Sequence, residues 1–288
     1  MEAASLCVSY LFNTAEPVLL VRMLLILLIG LIVGALGSML GIGGGVLLIP
    51  LLTFFFGVPI KTAIGASLIS VIATSCAAGA VYVQRGLTHN RLGMALEVAT
   101  TAGALAGGIT AALINSSLLA ALFAMILVYV AFSLHRIPKE KRQFSPTGFL
   151  NAAYMDPLTG ETVNYGVRNL GAGLGASFLA GNISGLLGIG GGIIKVPMMT
   201  LVMGVPLRAS IATSNFMIGV TAATSAIIYY SRGHIDPRIA VPSTLGILAG
   251  AWMGVRIGGR LKSRRLRQIF QILLLVFAVQ MFLKALRG

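Results

Sequence analysis

Apolar residues fill this chain in nearly unbroken runs, parted by short polar stretches. The runs cover residues 17–40, 62–83, 92–114, 118–134, 211–230, 239–255 and 269–286. Each approaches the roughly 20 residues a helix needs to cross a hydrocarbon core about 30 Å thick. They predict membrane-spanning α-helices. Two further segments, 22–56 and 171–203, are equally apolar but are interrupted by glycine clusters. The fold class predicted is an all-α polytopic membrane protein with two repeats of about four transmembrane segments each.

The duplication is read by sliding the sequence on itself by 147 positions (188 − 41). Gly41, Gly43, Gly44 and Gly45 then meet Gly188, Gly190, Gly191 and Gly192. Pro50 meets Pro197, Thr53 meets Thr200, and the GVP at Gly57 meets the GVP at Gly204. Ser67 falls on Ser214, and Tyr82, Arg85, Gly86 and Arg91 fall on Tyr229, Arg232, Gly233 and Arg238. Gly103 and Gly107 meet Gly250 and Gly254 with no gap. The predicted organisation is a tail at 1–16, a first repeat at 17–135, a polar cytoplasmic linker at 136–168 and a second repeat at 169–288. Internal duplication of this kind is common among secondary transporters, in parallel or inverted form.

Composition agrees with a membrane solvent. Only 10% of the residues are charged and the mean hydropathy is +0.95, against roughly 25% charged in soluble domains. The net charge of +14 is spread over short loops without aromatic interleaving. The positive-inside rule accounts for it, and a nucleic-acid partner is not expected. If each glycine-broken segment turns back on itself, a repeat crosses an odd number of times and the halves are inverted. Arg85, Arg91, Arg208, the basic residues of 136–142 and those of 260–267 then share one side. Lys61, Arg232, Arg238, Lys284 and Arg287 occupy the other. This arrangement, with both termini outside, suits the charges better than parallel halves. The first residues lack a basic region and a clear cleavage site, so no removable signal is expected. Cys7 and Cys76 fit no disulfide or metal spacing, and Cys76 reads as a small apolar residue.

The glycines carry the candidate chemistry. Irregular backbone survives at membrane depth only where protein or a cavity shelters it. Gly43, Gly44, Gly45 and Gly190, Gly191, Gly192 predict a helix break followed by a short return helix from Val46 or Ile193. The start of such a helix carries unsatisfied N–H groups and the positive end of the dipole, and glycine lets a ligand approach the backbone closely. Two such starts meeting near the midplane would bind an anion. A nucleotide loop is excluded, since both flanks are membrane-length and the spacing fits neither phosphate-binding motif. Glycine also permits plain tight helix crossing, the competing explanation.

Lys195 stands three residues after Gly192, where the first repeat has Leu48. An intramembrane lysine is costly and points to function, here as positive charge for a substrate anion. Ser67, Ser214 and Asn215 are added as hydrogen-bonding candidates, although Ser and Thr often bond only their own helix. Glu97 is a possible proton-coupling carboxylate but reads better as an interfacial partner of Arg91. Asp236 reads as a loop or cap residue and Arg256 as part of the inner basic rim. His89, His135 and His234 sit at loop edges, with no metal or acid–base role. No cofactor and no catalytic residue are expected.

The paired GIGGG motifs with their prolines, followed by GASL and ATSN and by YVQRG and YYSRG, resemble the TauE/SafE family over roughly residues 23–286. That resemblance implies an inner-membrane permease exporting small sulfur-containing anions such as sulfite or organosulfonates. The expected mechanism is alternating access, with a proton or sodium ion as possible coupling partner. A passive anion channel of the same fold and an intramembrane enzyme are the alternatives.

Overall fold

A computed structural model of the chain describes residues 17–136, 150–156, 160–258 and 263–287. The expected tail, residues 137–149 of the linker, Arg260 and Lys262 lie outside these. The first repeat forms α1 (Pro17–Leu40), the short α2 (Gly45–Phe55), α3 (Ile60–Gln84), α4 (Asn90–Leu113) and α5 (Ser116–Arg136). A π-helical turn at Ser75–Gly79 interrupts α3. The second forms α6 (Leu170–Leu187), the short α7 (Gly192–Leu201), α8 (Leu207–Ser231), α9 (Pro237–Gly258) and α10 (Ser263–Arg287). Seven of these helices, α1, α3 to α6, α8 and α9, are long and apolar enough to cross a membrane; of the span expected at 269–286, the described residues give a shorter apolar helix, Gln271–Leu286. Large apolar side chains such as Val98, Ile109, Met125, Val220, Ile227 and Phe282 face outward, as a lipid-facing exterior requires.

The repeats share their punctuation. Pro59 and Pro206 precede α3 and α8 with φ near −55°, pre-set for a helix start. Arg85 and Arg232 end α3 and α8, and Gly86 and Gly233 follow with φ of 64° and 71°. That left-handed step is the usual glycine stop after a helix. Asp236 is a cap as expected, since its Oδ1 accepts from Arg238 N at 2.9 Å.

Each glycine-broken segment reverses direction. Arg22 near the start of α1 donates through Nη2 to the Phe56 carbonyl at the end of α2, at 2.8 Å. In the second copy Arg168 N, just before α6, donates to the Met203 carbonyl just after α7, at 3.0 Å. Both segments are therefore hairpins of one long and one short helix.

The opening helices exchange partners between repeats: α1 packs on α9, and α6 packs on α4. Glycine makes both contacts possible. A methyl at Gly103 would overlap the Phe178 carbonyl oxygen, and one at Gly250 the Leu31 carbonyl oxygen. Positions 31 and 178 are equivalent under the same 147-residue shift. Small-residue rows serve in membranes because lipid offers no hydrophobic drive between helices, so close backbone approach carries the packing.

The linker holds an element the hydropathy pattern does not announce. Antiparallel strands β1 (Asn151–Met155) and β2 (Thr162–Gly166) pair with Tyr154 opposite Val163. Tyr154 and Tyr165 are buried against Leu87, Leu92, Leu96, Met199, Met203 and Met217. Arg208 at the start of α8 donates to Asp156 Oδ1 at 2.6 Å.

Candidate functional site

The two glycine turns are built alike. Gly41, Gly43 and Gly44 have φ between 72° and 81°, and Gly188, Gly190 and Gly191 between 68° and 75°. This is left-handed backbone that other residues reach only with strain. The return helices start at Gly45 and Gly192, one residue earlier than predicted, with Gly44 and Gly191 as N-caps. Pro50 and Pro197 lie inside them and leave the Val46 and Ile193 carbonyls without their helical donors.

The turns meet each other, and the serines pin them reciprocally. Ser67 Oγ donates to the Gly188 carbonyl at 2.8 Å, and Ser214 Oγ donates to the Gly41 carbonyl at 2.9 Å. A methyl at Gly45 would come within 2.7 Å of the Gly188 carbonyl oxygen, so the helix start itself lies against the opposite turn. Asn215 joins them: its Nδ2 donates to the Ser38 and Ile211 carbonyls at 3.2 and 3.0 Å. Asn215 Oδ1 and Ser184 Oγ are buried without a hydrogen-bond partner among the described residues. The π turn of α3 enters here as well, with Ser75 Oγ donating to the Asn215 carbonyl at 2.6 Å. The equivalent stretch of α8 is ordinary α-helix.

Lys195 is 2% exposed and sits in the first turn of α7, with its N–H bonded to the Gly191 carbonyl. A cation there opposes the positive end of the helix dipole, so the position calls for an anion. Glu97 of α4 supplies it: Lys195 Nζ lies 3.3 Å from Glu97 Oε2. Thr221 of α8 closes the triangle. It accepts from Lys195 Nζ at 3.0 Å and donates to Glu97 Oε1 at 2.6 Å. The expected Glu97–Arg91 pairing is thus replaced. Arg91 is exposed near the start of α4, while Glu97, six residues on, turns inward.

Thr221 escaped sequence reading because threonine is unremarkable in a transmembrane helix. Glu97 carried a signal: a charge within an apolar run is costly, the rule that had singled out Lys195. The charged pair has no image in the other half of the repeat. Lys195, Glu97 and Thr221 correspond to Leu48, Thr244 and Thr74, and among the described residues Thr74 bonds the Gly43 and Ser70 carbonyls.

Toward the linker the triangle is sealed by the cluster under the β-hairpin. Leu96 is adjacent to Glu97, Met199 is one turn beyond Lys195, and Met217 is one turn before Thr221. His89 belongs to this seal rather than to an exposed loop edge, being 6% exposed with its ring against Tyr165. It caps α4, accepting from Leu92 N at Nδ1, and its own N–H donates to Thr213 Oγ1. Burial holds the His89 imidazole below the usual histidine range and raises the Tyr165 phenol. On the other flank of α7, a small recess lined by Leu40, Ile42, Val130, Ser133 and Val196 reaches Gly192. His234 precedes α9, Arg256 lies 3.6 Å over the Trp252 ring, and Cys76 faces outward from the π turn. The His135 side chain lies outside the described residues. Among those residues, no group of three His, Cys, Asp or Glu side chains could hold a metal ion.

The family described as "Sulfite exporter TauE/SafE" matches residues 26–281. The chain is 26% identical over 268 residues to the "Probable membrane transporter protein YunE" of Bacillus subtilis, covering 89% of this chain and 96% of that one. A "Probable membrane transporter protein" of Methanocaldococcus jannaschii is 27% identical over 278 residues, covering 90% and 95% of the two chains. A "Sulfite exporter TauE/SafE family protein 3" of Arabidopsis thaliana is 32% identical over 110 residues, 38% of this chain and 22% of that one. No solved structure matches. The match runs through both glycine turns and every transmembrane helix: the chain is a multi-pass membrane transporter and belongs to the TauE/SafE sulfite exporter family.

Proposed function

We propose that this protein exports small sulfur oxyanions, sulfite or organosulfonates, across the cell inner membrane by alternating access around the crossing of the glycine turns. The observation that carries the proposal is a fully buried lysine, Lys195, in the first turn of a half-length helix beside that crossing. The N–H groups at the starts of α2 and α7, near Gly43 to Gly45 and Gly190 to Gly192, provide donors, and Lys195 provides charge. Ser67, Ser214 and Asn215 hold the turns in the conformation that presents those donors.

The proposal includes inverted repeats. Supporting it, the α1–α2 hairpin opens beside Lys284, whose Nζ lies 5.9 Å over the Phe54 ring. The α6–α7 hairpin opens instead beside Leu87 and the β-hairpin. The latter end gathers Arg85, Arg91, Arg168 and Arg208, so it is assigned to the cytoplasm. Rocking one repeat against the other would expose the crossing to either side. The seal of methionines and tyrosines beneath the β-hairpin then closes the cytoplasmic face in this conformation.

The test is uptake of labelled sulfite into proteoliposomes, beside sulfate, chloride and taurine, by the wild type and Lys195→Met. Saturable sulfite flux with counterflow, lost in the variant, is the expected result. Flux unaltered in Lys195→Met removes the lysine from the site. Unsaturable current without counterflow favours a passive channel.

A further inference from the structure

The Lys195–Glu97 pair bears on energetics, an inference that rests on the transport reading above. As it stands the site is neutral: one ammonium, one carboxylate and a shared hydroxyl, with the lysine side chain 0% and the glutamate side chain 11% exposed. A monoanion arriving at Lys195 would leave two negative charges facing one positive charge in a buried site. Uncompensated buried charge is strongly unfavourable, and two like charges sharing a site drive one of them to protonate. Among the described residues the neighbourhood supplies no second cation. Across from Glu97, α6 carries no titratable side chain and α7 carries Lys195 alone. On α8, Tyr229 and Arg208 lie eight and 13 residues from Thr221, about 12 and 20 Å along the axis. On its own helix Arg91 is exposed, and beyond it lie His89 and the hairpin's Tyr154, Tyr165, Asp156 and Glu161.

We infer that Glu97 is the proton site of this transporter and that anion and proton travel together. The anion takes over Lys195 while Glu97 accepts one proton from the same side. On release the proton leaves Glu97, and the carboxylate returns to the ammonium. Thr221 suits the exchange because a hydroxyl both donates and accepts: it donates to the carboxylate and can accept from the carboxylic acid. One proton with one monoanion moves no net charge. Export is then driven by accumulated anion, works against a gradient that is acid outside, and membrane potential has no purchase on it. The unmatched counterparts, Leu48 and Thr244, mean there is one such proton per transport cycle.

The assay uses the full-length protein in proteoliposomes with labelled methanesulfonate beside labelled sulfite. Methanesulfonate stays ionised across the working pH range, so any proton that moves with it is carried by the protein. The wild type should accumulate it about tenfold per unit of imposed pH gradient, unaffected by potassium–valinomycin clamps. A uniporter would instead respond to voltage, about 50-fold per 100 mV, and ignore pH. Glu97→Gln should lose the pH-driven accumulation and the accompanying proton uptake seen with an entrapped pH dye, while anion counterflow persists. Glu97→Gln/Lys195→Met, which removes both charges, serves as the folding control by size exclusion, and a wild-type stoichiometry other than one proton per anion overturns the assignment even if the single variant is unstable. Voltage-driven flux, accumulation following sodium rather than protons, or undiminished pH-driven accumulation in Glu97→Gln would overturn the assignment while leaving transport intact. Absence of flux of both anions would overturn the transport reading and this inference with it.

Discussion

Two threonines at the same place in the two repeats allow a test of the charged triangle inside one molecule. Thr74 and Thr221 are both 0% exposed and differ only in what their hydroxyls touch. Thr221 donates to a carboxylate at 2.6 Å and accepts from an ammonium at 3.0 Å. Thr74 donates to backbone carbonyls at 3.3 and 3.1 Å, one of them in its own helix. Hydrogen bonds to charged groups contribute about 1.5–3 kcal/mol and neutral ones about 0.5–1.5 kcal/mol. Valine removes the hydroxyl and keeps the branched shape. Thr221→Val should therefore cost about 3 kcal/mol, since it also strands two buried charges, and Thr74→Val about 1 kcal/mol. At about 2–4 °C per kcal/mol, the melting temperatures of the two variants in detergent should differ by roughly 4–8 °C. A gap below about 2 °C would refute the claim that Thr221 serves a charged pair, as would a larger loss at Thr74.

Further outcomes follow from the same contacts. On α6, Gly181→Ala should destabilise by about 1–3 kcal/mol, because its methyl would lie 2.8 Å from the Thr100 carbonyl carbon. Gly175→Ala, with nothing within 4 Å, should stabilise by up to about 1 kcal/mol; thermal unfolding separates the two. Ser67→Ala and Ser214→Ala should lose similar stability, about 1 kcal/mol each, since each breaks the same bond to the opposite turn. The buried His89 gives a pH signature. Its folded pKa lies below its unfolded one, so the unfolded chain binds more protons. Stability is then full above about pH 6.5 and declines as pH falls. Melting temperatures from pH 8 to pH 5 should drop less steeply in His89→Gln, and parallel curves would exclude His89 as the source.

The glycine turns illustrate how far local reading reaches. A cluster such as GIGGG between apolar runs cannot continue a helix and cannot lie bare in lipid, so a sheltered break was legible from residue types alone. The β-hairpin was not legible. Its residues follow no apolar run, and Tyr154 and Tyr165 are buried only because α4, α7 and α8 present Leu92, Met199 and Met217 to them. Glu97 lay between these cases: its cost in an apolar span was visible, but its partner was not. Arg91, close in sequence, was the natural local choice, and the true partner is 98 residues away.

What this sequence determined by itself were the properties that depend on short windows and on self-comparison. These are the spans, the duplication, the helix breaks, and the membrane as solvent. Tertiary structure alone decided which elements of one repeat lean on the other: α1 on α9, α6 on α4, Ser67 on the turn at Gly188, and Lys195 on Glu97. The physical reason is that backbone preference and hydropathy act over a few residues. The pairing of buried polar groups is settled by which backbones can approach closely enough to touch, and in this chain the glycines of the opposite repeat set that.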